Sequence, residues 1–124
     1  MKIKRSLSPN YSDKTRQKER IKFVIIHYTG MQSEIASIKR LRNSKAKVSC
    51  HYFINRKGEI TQMVKENKVA WHAGKSKWKN FNNLNDSSIG IELVNKGHEF
   101  GYQNFSKNQI ASLISLCKFL KKKY

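Results

Sequence analysis

The sequence predicts an α/β fold in which helices pack on a mixed central β-sheet. Three segments have the apolar patterns of strands: residues 23–26, 50–64 and 88–94. Two others, residues 33–43 and 106–120, repeat apolar residues at helical spacing. The resulting order, β-α-β-β-loop-β-α within 124 residues, is sufficient for one domain with its own hydrophobic core.

The first 20 residues are predicted to form an N-terminal arm, and the domain itself is placed at residues 21–124. The arm is polar and basic and contains the only proline, Pro9. We expect it to lie over the domain or to be partly disordered. It lacks the apolar segment of a signal peptide, and no run in the sequence is apolar enough to predict a membrane-spanning helix.

The first predicted strand, residues 22–28, carries a histidine near its end. Four apolar residues, 23–26, precede His27, and Gly30 lets the chain turn shortly afterwards. In mixed sheets, the residues of functional sites gather where strands end and loops begin. His27 is therefore a candidate metal ligand, although a lone histidine is more often a surface residue or a hydrogen-bonded core residue.

Residues 33–43 predict the first helix, with Ser33 as its N-cap. Residues 50–64 predict a β-hairpin that turns at residues 56–58. Residues 65–87 then form a long loop rich in Asn and Lys, and loops of this length in compact domains are often functional.

Glu92 lies in the middle of the last predicted strand, residues 88–94, where alternation places Gly90, Glu92 and Val94 on one face. A buried carboxylate is costly unless it is paired or functional, and Gly90 leaves space beside it for something other than side-chain packing. Glu92 is a candidate general base. A solvated or salt-bridged glutamate is the alternative. A histidine ligand together with a carboxylate base suggests metal-assisted hydrolysis.

The last predicted helix begins at Ser106, which forms a capping-box pattern with Gln109. Its predicted buried face consists of five residues: Ile110, Leu113, Ile114, Cys117 and Leu120. Cys50 and Cys117 are the only cysteines, and they form neither a CxxC motif nor a disulfide framework. A reducing compartment, most simply the cytoplasm, is therefore expected.

The formal net charge is +18, from 26 Lys and Arg against 8 Asp and Glu. Such a charge attracts polyanions such as nucleic acid, anionic lipid headgroups or an acidic wall polymer. Because the lysines are spread along the chain, a solvated basic surface is the simpler interpretation. Nucleic-acid binding remains a hypothesis, based on aromatic residues interleaved with lysines: Trp71, Trp78 and Phe81 near Lys75, Lys77 and Lys79.

Four segments, in this order and spacing, closely resemble the zinc-dependent N-acetylmuramoyl-L-alanine amidases of the amidase type 2 family, which are related to the peptidoglycan recognition proteins. They are "FVIIHYTG", "SCHYFINRKGEITQMV", "AWHAG" and "LNDSSIGIELVNKG". "SPNYSD" near the start also resembles the lead-in of one bacterial branch. The resemblance implies that His27 is the first zinc ligand and that Glu92 is the catalytic glutamate, which activates a zinc-bound water against the lactyl amide.

The resemblance also implies roles for residues around the substrate. Trp71 and His72 fall in the "WHAG" loop that borders the substrate groove, and Asn85 and Asp86 are expected to shape the groove or touch the peptide stem. His51 matches a residue of the second strand that is not a zinc ligand, so a structural or site-lining role is expected.

One departure from the family pattern concerns the zinc site. In the family, a segment after the last helix carries a second histidine ligand, then a lysine and a third ligand, Asp or Cys. The sequence ends at Tyr124, with the last helix, so the resemblance implies an amidase domain that lacks its C-terminal segment. No motif supports His72 or His98 as substitute ligands. We expect either a fragment of a longer enzyme or a truncated, inactive homologue.

The implied function is hydrolysis of the amide between the muramoyl lactyl group and L-alanine in peptidoglycan or its fragments. A muropeptide-binding module without turnover is the alternative. Expected partners are peptidoglycan or muropeptide fragments, rather than a specific nucleic acid or a membrane. An exported enzyme that acts on the wall is the alternative to a cytoplasmic one.

Overall fold

A computed structural model describes residues 1–101 and 103–124 of the chain. Within them it contains nine β-strands and two α-helices. In chain order they are β1 (Ile3–Arg5), β2 (Tyr11–Thr15), β3 (Phe23–Tyr28), α1 (Glu34–Arg42), β4 (Tyr52–Ile54), β5 (Ile60–Gln62), β6 (Lys68–Ala70), β7 (Lys77–Trp78), β8 (Phe81–Asn82), β9 (Ser88–Leu93) and α2 (Lys107–Lys123).

Five of the strands form one mixed sheet in the order β1-β5-β4-β9-β3. β9 is parallel to both β3 and β4, β5 is parallel to β1, and only β4 and β5 are antiparallel, as a hairpin. The predicted α/β fold with a mixed central sheet is therefore confirmed. In the predicted long loop, β6 pairs with β2 of the arm, and β7 and β8 form a hairpin of their own.

The N-terminal arm is part of this architecture. β1 pairs with β5 as an edge strand of the main sheet, and β2 pairs antiparallel with β6. Between them, the Ser8 hydroxyl donates to the carbonyl of Leu41 at 2.5 Å, and Asn10 Nδ2 donates to the carbonyls of Asn43 and Val48 at 2.9 and 3.0 Å. The arm thus satisfies backbone carbonyls at and beyond the C-terminus of α1, where the helix itself offers no donors. Of the two alternatives expected for the arm, the structure has it laid over the domain rather than partly disordered.

Hydrophobic clusters cover both faces of the sheet. On the face covered by α2, Ile89, Ile91 and Leu93 pack with Leu116 and Leu120. On the opposite face, Leu41 of α1 packs with four buried residues, Cys50, Phe53, Met63 and Val94. This second face also carries Gly90 and Glu92, as alternation along β9 predicts.

The capping box at the start of α2 is confirmed, but its predicted buried face is partly wrong. Ile110 and Ile114 are 37% and 50% exposed, whereas Gln109 is fully buried. The Gln109 amide donates to the carbonyls of Ile54 and Val94 at 3.2 and 2.9 Å. Because of these two bonds, Gln109 in the first turn of α2 faces the strand ends, and Ile110 faces outward.

Candidate active site

His27 and Glu92 are register partners on the adjacent parallel strands β3 and β9. Their side chains therefore leave the same face of the sheet, opposite α2. Glu92 is only 9% exposed, and its Oε2 has no hydrogen-bond partner among the described residues. Burial raises the pKa of Glu92 to about 8. Glu92 is therefore neither solvated nor held in a salt bridge within the described residues.

The imidazole of His72 packs directly over Gly90. A Cβ added to Gly90 would lie 2.4 Å from Cγ of His72, well inside van der Waals contact. Glycine is required here for room. The expectation that Gly90 leaves space for something other than side-chain packing is wrong, because a side chain from the "WHAG" loop fills that space.

A directional hydrogen-bond chain connects the two histidines to the start of β9. His27 Nε2 lies 2.9 Å from His72 Nδ1, and His72 Nε2 lies 3.0 Å from Ser88 Oγ. The Ser88 hydroxyl donates to the carbonyl of Leu84 at 2.6 Å, so its oxygen accepts from His72. His72 therefore carries its proton on Nε2, and its Nδ1 accepts from the Nε2–H of His27. Burial lowers the pKa of both rings, that of His72 to about 3, so His72 is neutral.

His51 forms hydrogen bonds through both ring nitrogens, which favours the structural alternative over a site-lining one. Its Nδ1 accepts from the backbone N–H of Gly90 at 3.1 Å, and its Nε2 lies 2.8 Å from the carbonyl of Lys68. These bonds fix the Nε2–H tautomer, and burial lowers the pKa of the ring to about 4. Arg16 Nη2 also lies 3.1 Å from Nε2, but both nitrogens carry protons, so this contact is not a hydrogen bond.

The other predicted site residues brace the loop that carries His72. Asn85 Oδ1 accepts from the backbone N–H groups of His72 and Ala73 at 3.1 and 2.8 Å. Trp71 donates through Nε1 to the Ser12 hydroxyl at 3.1 Å. Asp86 Oδ2 accepts from the amide of neighbouring Asn83. These bonds explain why the loop holds a defined conformation beside β9.

Arg16 and Ser88 belong to this supporting structure and were missed by the sequence analysis. Arg16 Nη1 donates to the carbonyls of Asn85 and Asp86 at 3.0 and 3.1 Å, and its Nε donates to the carbonyl of Glu66 at 3.0 Å. Arg16 lay in a segment expected to be an arm, one of many basic residues, and carried no distinguishing signal. Ser88 did carry a signal, because it is a polar residue at the first position of an apolar strand.

His98 lies apart from this cluster. Its Nδ1 is 3.1 Å from the Tyr28 hydroxyl, on an exposed part of the surface. Tyr28 follows His27 in β3, so its side chain points to the opposite face of the sheet. The structure therefore brings His72, but not His98, to His27.

The residues assembled here do not complete a zinc site. A catalytic zinc takes three protein ligands and a water, and the described part of the chain contains no group of three or more His, Cys, Asp or Glu residues arranged to hold a metal. The closest nitrogens of His27 and His72, Nε2 and Nδ1, share a hydrogen bond at 2.9 Å. In the described ranges, no helix is both long and apolar enough to cross a membrane.

Comparisons with known proteins identify relatives that match most of this chain. The family described as "Amidase_2: N-acetylmuramoyl-L-alanine amidase" matches residues 17–124. N-acetylmuramoyl-L-alanine amidase AmiD of Escherichia coli is 38% identical over 119 residues, which cover 85% of this chain and 41% of AmiD. 1,6-Anhydro-N-acetylmuramyl-L-alanine amidase AmpD of Haemophilus influenzae is 32% identical, over 94% of this chain and 70% of AmpD.

Solved structures of related amidases share the fold. A selenomethionine derivative of AmpD superposes with a TM-score of 0.80 at 25% identity, over 98% of this chain and 75% of that one. AmiD from E. coli, in complex with anhydro-N-acetylmuramic acid-L-Ala-D-γ-Glu-L-Lys, gives 0.76 at 36% identity, over 91% of this chain and 47% of that one. This chain thus spans about two fifths of AmiD, 41% of its length. The matched sequence and the shared fold show that the chain belongs to the amidase type 2 family of N-acetylmuramoyl-L-alanine amidases.

Proposed function

We propose that this chain is the amidase domain of an enzyme that hydrolyses the amide between the muramoyl lactyl group and L-alanine in peptidoglycan or its fragments. The observation that carries the proposal is the position of Glu92, a buried carboxylate with an unpartnered Oε2 in register with His27 on the adjacent strand. The substrates named for the related structures supply the chemical class.

Glu92 is proposed as the general base. Its carboxylate takes a proton from water, and the resulting hydroxide adds to the lactyl carbonyl carbon. The tetrahedral intermediate then collapses, the C–N bond breaks, and the protonated Glu92 returns its proton to the departing amine of L-alanine. A base works best when its pKa lies near the operating pH, and burial raises the pKa of Glu92 to about 8. The unpartnered oxygen has no hydrogen bond within the described residues that would compete for that proton.

His27 is proposed as a zinc ligand of the complete site, since family members are generally zinc-dependent. The Nε2 of His27 is engaged by His72 at 2.9 Å, so ligation through that atom requires this hydrogen bond to open. Further ligands are also required.

We propose that Trp71 and His72 border the substrate groove and that Asn85 and Asp86 shape it. The bonds from Asn85 to the backbone of His72 and Ala73 support a positioning role, since this side-chain oxygen is already occupied.

A cytoplasmic location stays a prediction.

The test is to incubate the chain, with and without added zinc, with a muramoyl tripeptide and to detect released L-alanyl peptide by mass spectrometry. Cleavage that falls by about 10²–10⁴-fold in Glu92→Gln supports the proposal, because that is the usual effect of losing a general base. The incomplete metal site favours a second candidate, a muropeptide-binding module. Calorimetric binding of the tripeptide without any cleavage would establish that alternative.

A further inference from the structure

The hairpin formed by β7 and β8 presents an exposed pair of aromatic side chains. Trp78 and Phe81 are register partners, and they are 57% and 36% exposed. We call residues 77–82 the aromatic hairpin. Each of its strands has two residues, so it has no core of its own in which an indole could be buried. A tryptophan left this exposed marks a candidate contact surface.

The aromatic hairpin is anchored at its base. The ring of Phe81 packs edge-on against Phe23, at the start of β3, with centroids 4.9 Å apart. The backbone N–H of Asn83 donates to the Ser76 carbonyl at 2.8 Å, and that of Leu84 donates to the Ser76 hydroxyl at 3.0 Å. These contacts hold Phe81 from behind and leave the face of Trp78 free.

The same segment is joined directly to the candidate active site. The residue after Leu84 is Asn85, whose side chain holds the backbone of His72. Only five residues, 73–77, separate His72 from Trp78. Six residue-to-residue steps extend at most about 22 Å, so the backbone of Trp78 lies within that distance of the backbone of His72.

The segment that carries Trp78 has only positive charge of its own, while Glu19 and Asp86 line a depression together with Phe81. Residues 74–85 contain no Asp or Glu, and they carry three exposed lysines, Lys75, Lys77 and Lys79. Such a surface attracts an anionic partner. Both features fit a polymer whose sugar rings stack on the indole and whose carboxylates pair with the lysine ammonium groups.

We propose that Trp78 is a stacking platform for a pyranose ring of a peptidoglycan glycan strand, and that the flanking lysines attract the carboxylates of its peptide stems. The proposal rests on the proposed function and extends it from the scissile amide to the sugars. The negative face of the indole attracts the polarised C–H bonds on the face of a pyranose ring. A single-stranded nucleic acid is a poorer fit, because it requires successive aromatic rings along a basic groove, and in the aromatic hairpin only Trp78 is more than half exposed.

The test uses tetra-N-acetylchitotetraose, an uncharged oligomer of N-acetylglucosamine that has no lactyl amide. Its binding to the 124-residue chain is measured by calorimetry and tryptophan fluorescence for wild type, Trp78→Ala, Trp78→Phe and Phe105→Ala. Phe105 is a matched control because it is also exposed, at 40%. Trp78→Ala should weaken binding by about five- to tenfold, the usual effect of removing one stacked ring. For Trp78→Phe, the logarithm of the loss in affinity should be about half as large. Phe105→Ala should match wild type.

Three outcomes would overturn the proposal: no saturable binding to wild type up to about 10 mM oligosaccharide, equal affinity of wild type and Trp78→Ala, or equal losses in Trp78→Ala and Phe105→Ala. Trp78-dependent binding of oligothymidylate in place of the sugar would also overturn it and identify a nucleic-acid surface. Circular dichroism establishes that each variant is folded. Because the probe cannot be hydrolysed, its result is independent of whether the chain cleaves a muramoyl tripeptide.

Discussion

Replacing Gly90 by alanine tests the packing of His72 on β9. The added Cβ would lie 2.4 Å from Cγ and 2.5 Å from Cδ2 of the imidazole, about 1 Å short of ordinary contact, which begins at 3.4 Å. The ring cannot simply move away, since its two nitrogens are bonded to Ser88 and His27. The φ angle of Gly90 lies outside the left-handed region, so the backbone accepts alanine and the cost is one of packing.

The expected cost follows from these contacts. Overpacking a well-filled site costs about 1–3 kcal/mol, and the partial loss of the ring's hydrogen bonds adds about 1 kcal/mol in total. Gly90→Ala should therefore lower the free energy of unfolding by about 2–4 kcal/mol. Domains of this size are typically stable by about 5–15 kcal/mol, so the variant should remain folded, with a lower urea midpoint measured by circular dichroism.

A double-mutant cycle with His72→Ala isolates the clash. Without the imidazole, alanine at position 90 has room, and Gly90→Ala should then be neutral or stabilising by up to about 1 kcal/mol, because glycine weakens strands. Gly58→Ala is the matched control, since its Cβ would meet the carbonyl oxygen of Asn108 at 2.6 Å; its cost should be the same with or without His72. If Gly90→Ala costs the same in both backgrounds, within about 0.5 kcal/mol, the argument from packing is refuted.

Three further predictions concern metal binding and stability. The chain, purified without chelator, should retain well below one zinc per molecule by mass spectrometry, because the described residues contain no group of three or more potential metal ligands; one tightly held zinc would contradict this. Asn10→Ala should lower the free energy of unfolding by about 2–3 kcal/mol in urea, since two carbonyls lose their donor; the exposed neighbour Lys14→Ala should change it by less than about 0.5 kcal/mol. Burial raises the pKa of Glu66, but hydrogen bonds from a lysine and two tyrosines lower it overall, below its ordinary 4.5. The Glu66 carboxylate therefore stabilises the fold above pH 4.5, and this contribution is lost as the pH falls through the folded pKa. Glu66→Gln should consequently show a flatter dependence of Tm on pH between about 5 and 3 than wild type; parallel profiles would count against this reasoning.

The strands and helices predicted from the sequence share one property, a repeat of apolar residues within a single segment. β3 and β9 each have six residues, long enough to show such a pattern. β1 has three residues, of which two are basic, and is a strand because Ile3 pairs with Ile60. No pattern inside three residues can show a partner so distant in the sequence, which is why the arm was not predicted to join the sheet.

The residues of the candidate site also divide into those that local sequence could predict and those that depend on the assembled fold. His27 and Glu92 could be selected from their unusual positions in apolar strands, because the cost of burying them depends on local sequence. Their pairing depends on the register of β3 against β9, which only the assembled sheet provides. The position of His72 over Gly90 depends on a long loop held by Asn85, and side-chain bonds from loops carry no periodic signal.

The two buried carboxylates in the described part of the chain show why Glu92 is the stronger candidate for proton transfer. Glu66 and Glu92 are almost equally buried, at 7% and 9% exposure. Both oxygens of Glu66 accept hydrogen bonds, from three side chains: Tyr52, Lys123 and Tyr124. These bonds keep Glu66 ionised and hold it in place, whereas Oε2 of Glu92 has no partner among the described residues and burial raises the pKa of Glu92 to about 8. A carboxylate whose lone pairs are occupied and whose pKa is lowered is a poor proton acceptor near neutral pH. These different environments separate Glu66, which is held in place by hydrogen bonds, from Glu92, which we propose as the general base.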